Sequence, residues 1–170
     1  MAVPLTLPFD FAFFGHVGPD AWVGSNGFMG FGSTPSTAYD NACLPTSLAT
    51  NPQNALFAYW DDLVLRTNGV CVATTGTAPN RVEVLTWSDA SVYADPGAHI
   101  TFSVVLTETT DTIDINFATY NVLISQQATA TIGIQNGNGS ATGGTPYLQH
   151  SCNTLQPILG PPPIRYQPGW

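Results

Sequence analysis

Apolar and polar residues alternate with a period of two along much of this chain. The clearest run is 99–108, where Ile100, Phe102, Val104 and Leu106 occupy every second position. Successive side chains of a strand point to opposite faces, so this pattern predicts strands with one buried face and one wet face. The other segments that predict strands are 9–13, 82–87, 113–118 and 128–135.

Signals for helices are nearly absent. Glutamate, a good helix former, occurs only at positions 83 and 108, and no window shows apolar residues at i, i+3, i+4 and i+7 bounded by caps. We therefore expect fewer than about a tenth of the residues to be helical.

The connections between the strand-like segments fit the same picture. Ser25-Asn26-Gly27 and the segment 109–112 have hairpin lengths, and Asn-Gly is a strong short turn signal. Longer polar stretches at 33–54 and 137–163 are expected to be irregular. The chain is predicted to form one domain over residues 1–170, an all-β, antiparallel two-sheet sandwich, jelly-roll-like, with long polar loops.

Charge is scarce, and it is mostly negative. Charged residues make up 8% of the chain, lysine is absent and the formal net charge is −8. A chain without clustered cations is disfavoured as a partner of nucleic acid or of anionic lipid, and no apolar run is long enough to insert into a membrane. A surface rich in Thr, Ser, Asn and Gln is more typical of extracellular β-proteins, and we expect Met1 to have been added to a mature domain taken from a longer precursor. The alternative is a cytoplasmic protein.

The chain contains three cysteines, so one must remain unpaired or pair with another molecule. Cys43 and Cys71 flank a further predicted strand at 57–65, which predicts a Cys43–Cys71 disulfide and leaves Cys152 over. In the chain-entropy description such a loop contributes about 3–4 kcal/mol and implies an oxidising compartment. The alternative is three buried thiols that act as small apolar side chains.

A series of motifs runs through the chain in a recognisable order. Those motifs are 7–15 (LPFDFAFFG), 22–32 (WVGSNGFMGFG), 41–45 (NACLP), 56–63 (LFAYWDDL), 79–87 (PNRVEVLTW), 101–108 (TFSVVLTE) and 130–136 (ATIGIQN). Together they resemble the nidogen-like β-domains of secreted and surface proteins, especially the version that serves as an accessory module in multidomain bacterial exoproteins. The resemblance implies a β-sandwich, an extracellular or cell-surface location and an adhesion or accessory role, and it brings no established catalytic residues.

Two groups of carboxylates are candidates for a Ca²⁺ site, which is the one cofactor that the sequence raises. Asp61 and Asp62 are adjacent, and adjacent strand residues point to opposite faces unless the strand ends there. The preferred interpretation is that one of them caps a turn while the other accepts backbone N–H bonds. Asp111 and Asp114 are better explained by turn chemistry in a hairpin.

No arrangement typical of catalysis is present. His16, His99 and His150 are scattered without metal-ligand spacing, and there is no nucleophile elbow. The sequence His150-Ser151-Cys152 places a base beside two nucleophiles, but triads are assembled by the fold and not by adjacency. We therefore expect a protein that is not an enzyme, with a hydrolase as the remaining alternative.

Exposed aromatic residues could form a platform for sugars. The candidates in predicted loops or near the end of the chain are Tyr39, Tyr93, Tyr147, Tyr166 and Trp170. The simpler interpretation is that each covers an edge of the core. Asn138-Gly139-Ser140 matches the short pattern of a glycosylation acceptor.

The preferred function is a non-catalytic structural or adhesion module, and its expected partners are other copies of itself or neighbouring domains. For self-assembly, the segments 3–14 and 163–166 are the expected edge strands. The alternative function is a carbohydrate-binding accessory module with glycans as partners.

Overall fold

The computed structural model describes residues 1–46, 50–66, 69–121, 129–137, 146–153 and 162–169. These residues form twelve strands and no helix. The strands are β1 (Ala2–Phe13), β2 (His16–Gly24), β3 (Phe28–Phe31), β4 (Ala55–Trp60), β5 (Leu63–Leu65), β6 (Val70–Thr75), β7 (Val82–Val92), β8 (Asp95–Thr107), β9 (Thr112–Asn121), β10 (Thr131–Gln135), β11 (Tyr147–Cys152) and β12 (Ile164–Tyr166).

The strands make two antiparallel sheets. The first sheet has the order β1-β2-β3-β4-β10-β11, and the second has the order β12-β9-β8-β7-β5. Strand β6 also pairs with β7, opposite Val82–Trp87, whereas β5 lies opposite Ala90–Val92. The predicted two-sheet antiparallel sandwich is confirmed.

The core between the sheets is built from the alternating residues. Phe9, Phe11 and Phe13 of β1 are buried, and the apolar positions of the 99–108 run face the same core from β8. Trp87 stacks on Phe102 with 5.0 Å between ring centroids. One face of each of these strands therefore contributes to a single interior, as the period of two predicts.

The first sheet is also covered on its outer face. Residues 33–46 and 50–54, called here the covering loop, run between β3 and β4. A second buried cluster, formed by Trp22, Phe28, Leu44, Ala55, Phe57 and Trp60, lies on this face, with Ala38 and Ala42 packed against it. Every residue of β4 is buried as a result.

This cover changes the environment of β10. The alternation of 128–135 predicts that Thr131 and Gln135 face water, but both are fully buried in the structure. That prediction is wrong because the covering loop lies over them: the hydroxyl of Thr131 donates to the carbonyl of Ala42, and the amide of Gln135 donates to the carbonyl of Thr46. Their polar groups are thus satisfied inside the protein.

The predicted Cys43–Cys71 disulfide is wrong. Cys43 pairs with Cys152, with 5.3 Å between the Cα atoms, and Cys71 is a free, exposed thiol. Cys43 lies in the covering loop, and Cys152 ends β11 in the same sheet. Cys71 lies on β6 in the other sheet, since the chain crosses between the sheets after β4.

A second departure concerns the stretch 137–163, which we expected to be irregular. Part of it forms β11, which pairs with β10 at the edge of the first sheet. The first four residues of β11 are exposed, so the strand carries no apolar alternation that the sequence could have displayed.

The predicted turn at Asn26-Gly27 is confirmed, and it lies against β4. Gly27 has a φ of +79°, and a Cβ atom placed on it would lie 2.0 Å from the carbonyl oxygen of Tyr59. The carbonyl of Gly27 accepts hydrogen bonds from the N–H groups of Ala58 and Tyr59. A side chain at position 27 would therefore separate the turn from β4.

We expect Gly27→Ala to lower the free energy of unfolding by clearly more than about 1 kcal/mol, because it combines backbone strain with this clash. Gly15→Ala is the matched control, since Gly15 has a φ of +82° and, apart from its two chain neighbours, no described residue has an atom within 4 Å of a Cβ atom placed on it. Urea unfolding measures both variants. Equal losses would mean that the contact with Tyr59 contributes nothing.

Candidate binding site on the covering loop

Amide side chains hold the covering loop on the first sheet. The amide of Asn26 donates to the carbonyl of Ala38 at 3.0 Å, and its oxygen accepts from the N–H of Leu63 at 3.2 Å. The amide of Asn41 donates to the hydroxyl of Thr131 and to the oxygen of Asn153, both at 3.0 Å. These bonds join the loop to three separate parts of the fold.

The second half of the loop is held by two glutamines of the sheet. The side-chain oxygen of Gln135 accepts from the N–H of Thr46 at 2.7 Å, and that of Gln149 accepts from the N–H of Leu44 at 2.7 Å. The hydroxyl of Thr46 accepts from the amide of Asn51 at 2.6 Å. Together with the disulfide at Cys43, these contacts fix the backbone of an otherwise irregular segment.

Two adjoining clefts open on this loop. The first has a volume of about 400 Å³ and is lined by residues 37–42, Thr50 and Asn51. The second, of about 610 Å³, is lined by 32–37, Thr50, Asn51, Gln53, Asn54 and Gly137. Both clefts share Thr37, Thr50 and Asn51, so they form one groove, which we call the loop groove.

The loop groove combines an aromatic ring with neutral and acidic polar groups. Tyr39 is 56% exposed and offers an aromatic face, Asp40 offers a carboxylate, and Asn41 lies next to it in the wall. None of the described residues that line the groove is basic. Hydroxyl groups are donors that a carboxylate accepts well, whereas an anion would find no positive charge.

The predicted aromatic candidates do not share one place. Tyr39 lines the loop groove, but Tyr93 and Tyr147, which are 68% and 44% exposed, line neither cleft. Tyr166 is buried in the core, where burial raises the pKa of its hydroxyl. Trp170 and the Asn138-Gly139-Ser140 pattern lie outside the described residues. Asp40 and Asn41 were not singled out from the sequence, although they directly follow Tyr39.

Asp61 has a structural environment at the connection between β4 and β5. It is buried, its Oδ1 accepts from the N–H of Asp62 at 2.8 Å, and its Oδ2 accepts from the hydroxyl of Thr129. Burial raises the pKa of this carboxyl. Both oxygens that a cation would use therefore already have protein donors.

The other carboxylate pair is divided between two contacts. Asp111 accepts from the N–H of Ala12 at 3.0 Å, and Asp114 pairs with Arg165 at 2.6 Å. Within the described part of the chain, no group of three or more His, Cys, Asp or Glu residues is placed to hold a metal ion.

The residues considered for catalysis do not form a common centre. Cys152 is bonded to Cys43, so its thiol is not available as a nucleophile beside His150 and Ser151. The Nδ1 atom of His99 lies 2.5 Å from Asp89 on the second sheet, and His16 packs over Gly32 on the first. Of the two candidate nucleophiles of a hydrolase, only Ser151 remains.

The fold and the disulfide define the class as a disulfide-bonded β-sandwich module, of the kind found in extracellular proteins. A family model described as NIDO related matches residues 1–157, and the chain belongs to this nidogen-related family. The resemblance found in the sequence motifs is confirmed. Neither the curated proteins nor the solved structures contain a significant match, and no helix of the described residues is long and apolar enough to cross a membrane.

Proposed function

We propose that this chain is an extracellular, non-catalytic interaction module that binds neutral glycans in the loop groove beside Tyr39. The observation that carries the proposal is the placement of Tyr39, Asp40 and Asn41 in one wall of a cleft whose backbone is already fixed. A sugar ring has an apolar face that can lie on an aromatic ring and hydroxyls at its rim that can bond to polar side chains.

The fixed backbone favours binding because little remains to be ordered. Ordering a flexible loop on binding reduces the affinity that the contacts would otherwise give. Here Ala38 and Asn41 on either side of Tyr39 are already hydrogen-bonded to the sheet, and Cys43 follows in a disulfide. The groove is thus preorganised around the side chain of Tyr39.

The distribution of charge selects neutral glycans over sulfated or sialylated ones. All three basic residues of the chain are occupied: Arg81 pairs with Glu108, Arg165 pairs with Asp114, and Arg66 donates to Ser91 and to the carbonyl of Pro96. A net charge of −8 opposes the approach of an anionic ligand.

A glycan array and pull-down on insoluble neutral polysaccharides test this proposal. We expect neutral glycans to bind, and Tyr39→Ala to weaken binding at least about tenfold, equivalent to about 1.4 kcal/mol. Asp40→Asn should weaken it as well, because a charged acceptor forms the stronger hydrogen bond. Titration calorimetry with the best neutral oligosaccharide measures both effects.

Tyr93→Ala and Tyr147→Ala are the matched controls, since each removes an exposed tyrosine outside the loop groove. They should bind like the unchanged protein. Equal losses of binding in all three tyrosine variants would mean that the site lies outside the loop groove. Binding of no neutral glycan above background would reject the function.

A further inference from the structure

Most edges of the two sheets carry features that prevent another strand from adding to them. Such features are prolines, charges, irregular register and short length. Strand β1 contains Pro4 and Pro8 and changes register between Thr6 and Phe11. At the edge formed by β12, the strand is three residues long and carries the ion pair of Arg165 with Asp114.

The edges formed by β11 and β5 carry features of the same kind. Strand β11 faces a register shift between Ile132 and Gly133, and the disulfide at Cys152 ends it. Strand β5 is three residues long and is followed by Arg66. These edges therefore also have protection.

Strand β6 pairs with the first half of β7, on the same edge of the second sheet as β5, and it has none of these features. Val70–Thr75 pairs with β7 in unbroken register and contains no proline and no charged residue. Every residue of β6 after Val70 is exposed, among them the free thiol of Cys71. An uncharged edge of this length is open to pairing with a further strand.

An apolar groove lies against the inner side of this edge. It has a volume of about 250 Å³, and its lining includes Val3 and Leu5 of β1 as well as Leu65, Val70 and Val72 of the second sheet. Because side chains alternate along a strand, Val70 and Val72 point to the groove, while Cys71 points to the opposite face. The sandwich is thus incompletely closed beside its unprotected edge.

We propose that β6 is a self-association surface, through which two copies of this chain pair their β6 strands antiparallel and join Cys71 to the partner's Cys71. If the two-fold axis passes at Cys71, the two thiols lie opposite each other and Val70 lies opposite the partner's Val72. Residues that lie opposite each other in paired strands point to the same face of the sheet. Val70 and Val72 of both copies therefore extend the apolar surface at the groove.

A second copy fits this edge better than an unrelated strand because the edge is complementary to itself, as a two-fold interface requires. The strand that offers the free backbone groups also carries the valines that line the groove and the thiol that can be joined. Its lack of charge matters, since the net charge of −8 otherwise keeps copies apart. With the axis at Cys71, only Val70–Val72 of each copy lie opposite β6 residues of the other. Three residues a side is far below the roughly 20–30 of a stable interface, so the dimer needs the covalent bond.

The geometry and the redox balance both allow that bond. Directly opposite residues of an antiparallel pair have Cβ atoms about 4.5–5.5 Å apart, close to the range of about 3.5–4.5 Å in disulfides. The two thiols lose two protons and two electrons, which reduce one molecule of a small disulfide such as oxidised glutathione to two thiols. The thiolate of Cys71 first forms a mixed disulfide with glutathione, and the partner's Cys71 then displaces glutathione.

Multi-angle light scattering after incubation in oxidised glutathione tests this proposal. We expect the mass to rise from 18.0 kDa to twice that value, and to return to the monomer value under mild reduction. Cys71→Ser should remain monomeric. Val72→Lys, which keeps the thiol but places a charge at the groove, should slow dimer formation at least about tenfold.

A displaced cysteine separates strand pairing from random collision of thiols. The variant Cys71→Ser/Tyr93→Cys carries its thiol at a site that is 68% exposed on a turn, and it should dimerise at least about tenfold more slowly than the unchanged protein. Equal rates for these two proteins, or a Cys71 that ends only as a glutathione adduct, would overturn the proposal. Glycan binding is measured separately on the Cys71→Ser monomer, so the two proposals can fail independently.

Discussion

Replacing Cys43 and Cys152 together by alanine is expected to lower the free energy of unfolding by about 4–5 kcal/mol. The bond joins residues that are 109 positions apart, so its loss frees a very large loop in the unfolded chain. Domains of this size have a total stability of about 5–15 kcal/mol, and the variant should therefore unfold at a much lower urea concentration. Equilibrium unfolding followed by tryptophan fluorescence measures the change.

Cys71→Ala is the matched control for this experiment. It removes a thiol that is exposed and unpaired, so the free energy of unfolding should stay within about 0.5 kcal/mol of that of the unchanged protein. A large loss in Cys71→Ala as well as in the double variant would restore the pairing of Cys43 with Cys71, because the double variant removes Cys43 under either pairing. Mass spectrometry of a digest without reduction identifies the bonded pair directly.

Trp60→Ala is expected to cost about 3–5 kcal/mol, as a large-to-small change at a fully buried site. Trp60 stacks on Phe57 at 4.9 Å and meets the edge of Phe28 at 6.1 Å. It belongs to the cluster beneath the covering loop, so its loss opens a cavity between the loop and the first sheet. A thermal midpoint lowered by about 2–4 °C for each kcal/mol would report it.

Trp60→Phe serves as the control because it keeps an aromatic ring in the cluster and should lose much less. A second readout is available, since the cavity lies under the loop that carries Tyr39. Trp60→Ala should weaken neutral glycan binding as well, because its loss loosens the support of the loop that carries Tyr39. An unmoved thermal midpoint in Trp60→Ala would contradict the burial of this residue.

Much of the fold could be predicted from the sequence because the alternation of apolar residues is a local signal. The runs around Phe102 and Ile115 became β8 and β9, and the turn between them falls at 108–111, one residue before the predicted segment 109–112. The same rule failed for Thr131 and Gln135, since what covers the outer face of β10 is an irregular loop far away in sequence. Alternation tells which residues share a face, not whether that face meets water.

The disulfide and the candidate site could not be predicted for a related reason. Cys43 and Cys152 meet because β4, β10 and β11 are neighbours in one sheet, and strand order is not written in any local pattern. Tyr39 was recognised as a candidate from its type, but its partners Asp40 and Asn41 became significant only once hydrogen bonds to the sheet had fixed the loop. Cleft walls of this kind arise from tertiary contacts.

The position of β4 in the first sheet has a consequence for how the chain assembles. Strands β1 to β4 follow one another and can pair as soon as they are made, but β10, the other neighbour of β4, comes only after β5 to β9. Until then β4 is a wholly apolar strand with an open edge, although it is completely enclosed in the finished protein. Pairings so distant in sequence form slowly, and during that interval exposed strand edges invite aggregation. The chain is therefore most prone to aggregate between the synthesis of β4 and the pairing of β10 with it.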